Sequence, residues 1–171
     1  MKRLYFLRHA KSDRSDPQAA DFDRGLTQRG RQAARAMGRY MRRQKLLPDF
    51  VLCSAARRAR DSWELAGPQL QADIPVELSE ALYLAEPLQT LRLIHRLSEK
   101  ASAALLVGHN PGFQAVTLLL AGSGDTAVRS RVAAKFPTAA LAVIDFEAEH
   151  WRDIGEGGGR LERFIAPSDL D

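Results

Sequence analysis

LYFLRHAKSD, residues 4–13, opens on four apolar residues and turns cationic at Arg8 and His9, with Lys11 two places further on. An apolar, aromatic-rich run at the start of the chain predicts a buried strand over residues 3–8. Charged groups at the mouth of a buried strand need a reason. In sheets covered by helices, ligands bind beyond the carboxyl ends of the strands, so what the rest of the chain builds decides how this stretch is read.

Outward from it, residues 11–25 are polar and hold Pro17 and Gly25, which predicts a long loop; such a loop inside a compact domain is often functional. Thr27 is placed to cap a helix, and Ala33, Ala34, Met37 and Met41 recur at helical spacing to about Gln44. Strands are predicted over Phe50–Cys53, Val76–Leu78, Ala103–Val107 and Ala139–Phe146. Helices are predicted over Ala56–Ala66, around Leu88, Leu91, Ile94 and Leu97, and from Asn110 as cap with Pro111 first to Leu120. Trp151–Ile154 and Arg160–Ile165, joined by glycines 157–159, are read as a closing hairpin. Strands alternating with helices imply a three-layer α/β/α fold with a mostly parallel central sheet and a C-terminal antiparallel hairpin.

Bulk numbers set the class. At 171 residues, 45% hydrophobic and 27% charged, the chain fits one folded domain, residues 1–171, rather than a disordered one. Its four-residue apolar start is too short for a secretory signal, and no stretch is long enough to span a membrane. The single cysteine, Cys53, excludes an internal disulfide framework and favours a reducing compartment, so a cytoplasmic protein without membrane partners is expected. The net charge of +4 favours anionic partners. The seven Lys and Arg of residues 29–45 fall on a predicted helix and are read as a solvated face, not a nucleic-acid surface.

Three predicted strands end in suggestive residues: Arg8-His9, Cys53-Ser54 followed by Arg57 and Arg58, and Gly108-His109. Two histidines and several arginines gathered at one sheet edge repel unless an anion sits among them. A phosphoryl group meets that need, because arginine offers a planar fork to two oxygens and histidine can act as nucleophile or donor.

Leu7-Arg8-His9-Ala10-Lys11 resembles the Arg-His signature of the histidine phosphatase superfamily, in the form seen in its short SixA-like phosphohistidine phosphatases. Ser54-Ala55-Ala56-Arg57-Arg58-Ala59 resembles the second motif of that family, with Ser-Ala in place of the more usual Ser-Pro. Leu106-Val107-Gly108-His109-Asn110-Pro111 resembles the third, and Asp23-Arg24-Gly25-Leu26-Thr27-x-x-Gly30 a stretch between the first two. The resemblance implies a phosphatase in which His9 accepts the phosphoryl group and Arg8 and Arg58 bind its oxygens. His109 then serves as donor or charge stabiliser, best as a cation or firm donor, and Arg57 is a further phosphate-binding candidate. No cofactor or metal is implied, since the arginines supply the positive charge.

Larger members of that family carry an acid that protonates an alkoxide leaving group. Glu80 is the candidate by order here, with Glu86 and Asp13 as alternatives. Phosphohistidine needs such an acid less, because imidazole leaves more readily than an alkoxide. The short chain also leaves little room for a substrate-capping insertion. Both points favour phosphohistidine in a protein partner, with inorganic phosphate as product. A small phosphoester substrate is the nearer alternative, and a non-catalytic phospho-ligand binding module the alternative of another class.

Two other motifs are set aside. Cys53 and Arg58 almost match the cysteine phosphatase loop, but the arginine falls one residue early and no glycine intervenes, so a buried structural thiol is expected. Gly122-Ser123-Gly124-Asp125-Thr126-Ala127 spells a dinucleotide fingerprint, but it follows a predicted helix, not a strand, and is read as a loop.

Overall fold

The computed structural model describes residues 1–170. A seven-stranded sheet forms its centre. In chain order the strands are β1 (Lys2–Arg8), β2 (Phe50–Ser54), β3 (Val76–Ser79), β4 (Ala103–Gly108), β5 (Ala121–Gly124), β6 (Leu141–Phe146) and β7 (Gly159–Ile165). The helices are α1 (Gln28–Arg43), α2 (Arg57–Ala66), α3 (Pro87–His95), α4 (Gly112–Leu120) and α5 (Thr126–Ala134). In space the strands run β3-β2-β4-β1-β6-β7-β5. β6 alone is antiparallel to its neighbours, β1 and β7. This is the α/β fold with a mostly parallel sheet that the sequence predicts.

The continuous apolar run of β1 follows from helices on both sides of the sheet. Leu4 and Phe6 pack with Leu52, Leu106, Ile94, Phe113 and Val116 on the face carrying α3 and α4. Tyr5 and Leu7 pack with Val51, Cys53, Met37, Met41 and Trp63 on the face carrying α1 and α2. Thr27 caps α1 as expected, its hydroxyl accepting from the Gly30 amide at 2.9 Å. A β-carbon at Gly30 would lie 2.3 Å from the Lys11 carbonyl oxygen, so the loop after β1 runs directly over the start of α1. At Gly38 the corresponding distance is 2.3 Å, to the Ala66 carbonyl oxygen, and this lets α1 and α2 approach closely.

Three segments differ from the sequence reading. Trp151–Asp153 is a 3-10 turn, not a strand. Trp151 is fully buried, and its indole donates to the Ser98 and Ala101 carbonyls at 3.1 and 2.9 Å. The antiparallel partner of β7 is therefore β6. Residues 121–124 form a short edge strand parallel to β7 rather than a loop, and α5 follows, capped by Asp125. α4 begins at Gly112; Asn110 precedes it across a cis peptide bond to Pro111, and its side chain accepts from the Gln114 amide. His95 bonds through Nε2 to the Ile154 carbonyl at 2.6 Å, which ties α3 to the 3-10 turn. Among the described residues, no helix is long and apolar enough to cross a membrane.

Candidate active site

Strand register brings the two histidines together. Arg8 pairs with Gly108 across β1 and β4, so His9 and His109 leave adjacent strands at the same level. The His9 amide donates to the Gly108 carbonyl at 3.0 Å, and the two ring centroids are 5.2 Å apart. α2 starts three residues after β2 and carries Arg58 to the same place. The buried hydroxyl of Ser62 fixes that approach, accepting from the Ala10 amide at 2.8 Å and donating to the Arg58 carbonyl at 2.7 Å.

His9 is almost completely buried, with 6% of its surface exposed. Its Nδ1 lies 2.7 Å from the Ala10 carbonyl oxygen. A carbonyl only accepts, so Nδ1 carries the hydrogen and Nε2 of the neutral ring keeps a lone pair. Arg58 Nε donates towards that nitrogen at 3.4 Å. Burial first, then the charges of His109, Arg58 and Arg8, push the His9 pKa down to about 3, against the opposing pull of the Ala10 carbonyl. The ring is neutral at physiological pH.

His109 bonds through Nε2 to the Ser54 hydroxyl at 2.7 Å. Ser54 also accepts from the Ala56 amide at 3.3 Å, and where it donates to Nε2 the proton of the neutral imidazole sits on Nδ1. That Nδ1 is buried and has no partner, and the same is true of Arg8 Nε. Burial, with Arg58 and Arg8 nearby, lowers the His109 pKa to about 4 although Asp21 pulls the other way. Of the two forms the sequence reading allows at His109, cation or firm donor, the lowered pKa favours the neutral donor, and the positive charge of the site is borne by arginine. Arg8 is held through Nη1 by the Phe136 carbonyl at 2.9 Å, and burial together with Arg58 and Arg14 lowers its pKa from the usual arginine value.

These groups line a cleft of about 840 Å³. Arg8, His9, Arg58 and His109 all face it, so the structure brings together the four main candidates from the sequence. Arg57 does not join them: its side chain is 56% exposed and lies 3.4 Å from Asp61 on its own helix. Glu80, Glu86 and Asp13 are exposed and do not line the cleft. Glu86 caps α3, and Asp13 accepts from the Ser15 amide.

The carboxylate that does line the cleft is Asp21, which the sequence reading passed over. Arg58 donates to its carbonyl at 2.7 Å and to its Oδ2 at 3.0 Å, and Arg24 donates to Oδ1 at 2.7 Å. The Tyr83 hydroxyl bonds to Oδ2 as well, and its ring stands edge-on to His109 at 5.3 Å. Hydrogen bonds from Tyr83 foremost, then Arg24 and Arg58, hold the Asp21 carboxyl far below the usual carboxylate range. Nothing marks it among the acids of its loop except Arg24 three residues on. Among the described residues, no group of three or more His, Cys, Asp or Glu side chains is arranged to hold a metal.

Cys53 lies on β2 just before Ser54, fully buried, and burial pushes its thiol up to about 12. It is a structural thiol, as its sequence context predicts.

Known proteins resemble this chain in sequence and fold. The family model of the histidine phosphatase superfamily (branch 1) matches residues 4–83. A protein of Mycobacterium tuberculosis, described only as uncharacterised, is 39% identical over 163 residues, covering 94% of this chain and 99% of its own length. The SixA-designated protein of Agrobacterium tumefaciens superimposes with a TM-score of 0.82 at 30% identity, over 97% of this chain and 98% of that one. The protein histidine phosphatase SixA in complex with tungstate has the same fold, with a TM-score of 0.79 at 21% identity over 99% of both chains. Sequence and fold thus agree with the paired histidines and arginines at one sheet edge: the chain belongs to the histidine phosphatase superfamily, on its SixA-like branch, and is a phosphatase.

Proposed function

We propose that the 171-residue chain acts as one catalytic domain that passes a phosphoryl group to His9 Nε2 and then to water, and that its substrate is phosphohistidine in a partner protein. The observation that carries the reading is the bond from His9 Nδ1 to the Ala10 carbonyl at 2.7 Å. It leaves a neutral imidazole with its free lone pair on Nε2, beside a buried arginine. Nε2 forms the new N–P bond as the P–N bond of the substrate breaks. The substrate ring, protonated on its other nitrogen, departs as neutral imidazole and keeps the electron pair of that bond. Water then attacks phosphorus, the Nε2–P bond breaks with its electron pair returning to His9, and inorganic phosphate leaves as the water's proton passes to solvent.

The positive charge needed by the phosphoryl oxygens comes from Arg8 and Arg58. Arg8 Nε and His109 Nδ1, both buried and unpartnered, are the donors an oxyanion would satisfy. The leaving group argues for phosphohistidine. Asp21 is the carboxylate of the cleft, and its hydrogen bonds keep it ionised, so it has no proton to give an alkoxide. An imidazole, with a conjugate-acid pKa of roughly 6.5, needs little help near neutral pH.

The test is to mix the protein with a ³²P-phosphohistidine protein, quench within milliseconds, and characterise the label. Acid-labile, alkali-stable label on the wild type and none on His9→Ala is expected. Label on His9→Ala, or its turnover within about tenfold of wild type (roughly 1.4 kcal/mol of barrier), overturns the assignment. An alkyl phosphate hydrolysed faster than phosphohistidine would instead make the protein a small-molecule phosphomonoesterase.

A further inference from the structure

The cleft is larger than a phosphoryl group requires, and it continues past His109. Leu84 and Asn110 line it, and the same two residues line an adjoining groove of about 260 Å³. Ala85, Pro87, Pro111 and Ala115 form most of the remaining wall, completed by Gly112 and the single carboxylate Glu86, so the groove is apolar for much of its length. It has room for one branched aliphatic side chain. Leu84, at the junction, is 51% exposed, and Leu88 close by on α3 is 61% exposed.

The backbone at Leu84 has a φ of 51°, in the left-handed region. A residue with a β-carbon resists that conformation, which persists where the surroundings impose it and is frequent at ligand clamps. An exposed leucine held in this way between two cavities contributes nothing to the core. Charge adds a second observation. Lys11, Arg14 and Lys135 line the cleft in addition to the arginines at its floor, are exposed, and form no ion pair among the described residues. A small phosphoester would leave both the groove and these cations unused.

Resting on the reading of the cleft as a phosphohistidine site, we propose that the groove beside Leu84 docks an apolar side chain next to the phosphohistidine of a polypeptide whose neighbouring surface is acidic. The continuity of the two cavities sets the geometry: once the phosphoryl group lies between Arg8 and Arg58, an adjacent residue of the same chain reaches the groove over Leu84. Carboxylates further along meet Lys11, Arg14 and Lys135. Apolar burial gives affinity and the cations give a salt-dependent association rate.

The experiment compares kcat/KM on three substrates: free phosphohistidine, a peptide with phosphohistidine flanked by leucine and aspartates, and the same peptide with glycine for leucine. The leucine peptide is expected to exceed the glycine peptide by about tenfold, the order that burying one such side chain supplies. Its rate falls more steeply with added salt than that of free phosphohistidine. Ala115→Glu, exposed on α4 and not lining the cleft, is expected to erase the leucine preference and leave free phosphohistidine unchanged. Leu84→Ala is expected to raise KM for the leucine peptide with kcat nearly kept. Equal rates on the two peptides overturn the proposal, as does an Ala115→Glu variant that slows all three substrates alike. A wild type inert towards all three removes the phosphohistidine reading itself and the docking proposal with it.

Discussion

Folding traps two histidines in their neutral form, and this makes the protein sensitive to acid in a calculable way. The pKa of His9 falls from 6.5 to about 3, and that of His109 from 6.5 to about 4, mainly through burial. As pH drops through the unfolded value, the unfolded chain binds protons at both positions while the folded chain does not. Stability rises with pH wherever the unfolded state holds more protons. The contribution is therefore complete above about pH 6.5 and drains away as pH falls towards the folded pKa values of about 3 and about 4. At about pH 5 the loss is roughly 2 kcal/mol for each ring, against a typical total of about 5–15 kcal/mol. His9→Gln removes one of these groups. Urea unfolding of wild type and variant at about pH 8 and about pH 5, in buffers free of phosphate and sulfate, gives two stability differences. Whatever the substitution costs at the higher pH, the difference should move by roughly 2 kcal/mol in favour of the variant at the lower one. Tungstate, by binding only the folded protein between Arg8 and Arg58, should stabilise the wild type at both pH values. A movement below about 0.5 kcal/mol would mean that His9 titrates almost normally in the folded protein, and the neutral-nucleophile argument would fall with it.

Other outcomes follow from the same geometry. Arg58→Ala should slow every phosphorylated substrate by about 10²–10³-fold, the usual loss when a preorganised donor to the transition state is removed, and should weaken inhibition by inorganic phosphate; a selective loss on one substrate class would contradict that shared role. Glu80→Gln, at an exposed position outside the cleft, should change turnover of phosphohistidine and alkyl phosphate by less than about twofold; a hundredfold loss on the ester would restore Glu80 as its acid. Gly30→Ala places a β-carbon 2.3 Å from the Lys11 carbonyl oxygen. Thermal unfolding should show a loss of about 1–3 kcal/mol from overpacking, and an unchanged Tm would show that the loop after β1 yields freely.

The parts of this fold that announce themselves in the sequence are those where burial and local chemistry agree. β1, β2 and β4 are buried on both faces and read as unbroken apolar runs, and α1 carries both its cap and its stripe. α5 is silent because Val132 is the one residue it buries, so no stripe exists to be read. β5 is a glycine-bearing edge strand, and its pairing with β7 depends on a segment some 40 residues away. Trp151 looks like a strand residue by composition, and only the carbonyls of Ser98 and Ala101 make it the plug of a turn. The site divides similarly. His9, Arg58 and His109 stand at strand and helix ends in recognisable motifs. Asp21 owes its place to a loop folded back through Ser12 and Leu26, which no local pattern encodes. The adjacent Arg57 and Arg58 are distinguished only by the phase of α2, which sends one to Asp61 and the other to the cleft.

The position of Cys53 bears on how such an enzyme can be controlled. The residue abuts Ser54, which holds His109, yet its sulfur is sealed in the core and protonated at any physiological pH. Phosphatases that work through a thiolate are switched off by peroxide, which converts the nucleophile to a sulfenic acid. With His9 as the proposed nucleophile the reacting group is an imidazole, and the neighbouring sulfur is out of reach of oxidants. Dephosphorylation by this protein should then continue through an oxidative burst that silences thiolate phosphatases around it, so its phosphorylated substrate would keep being reset under stress.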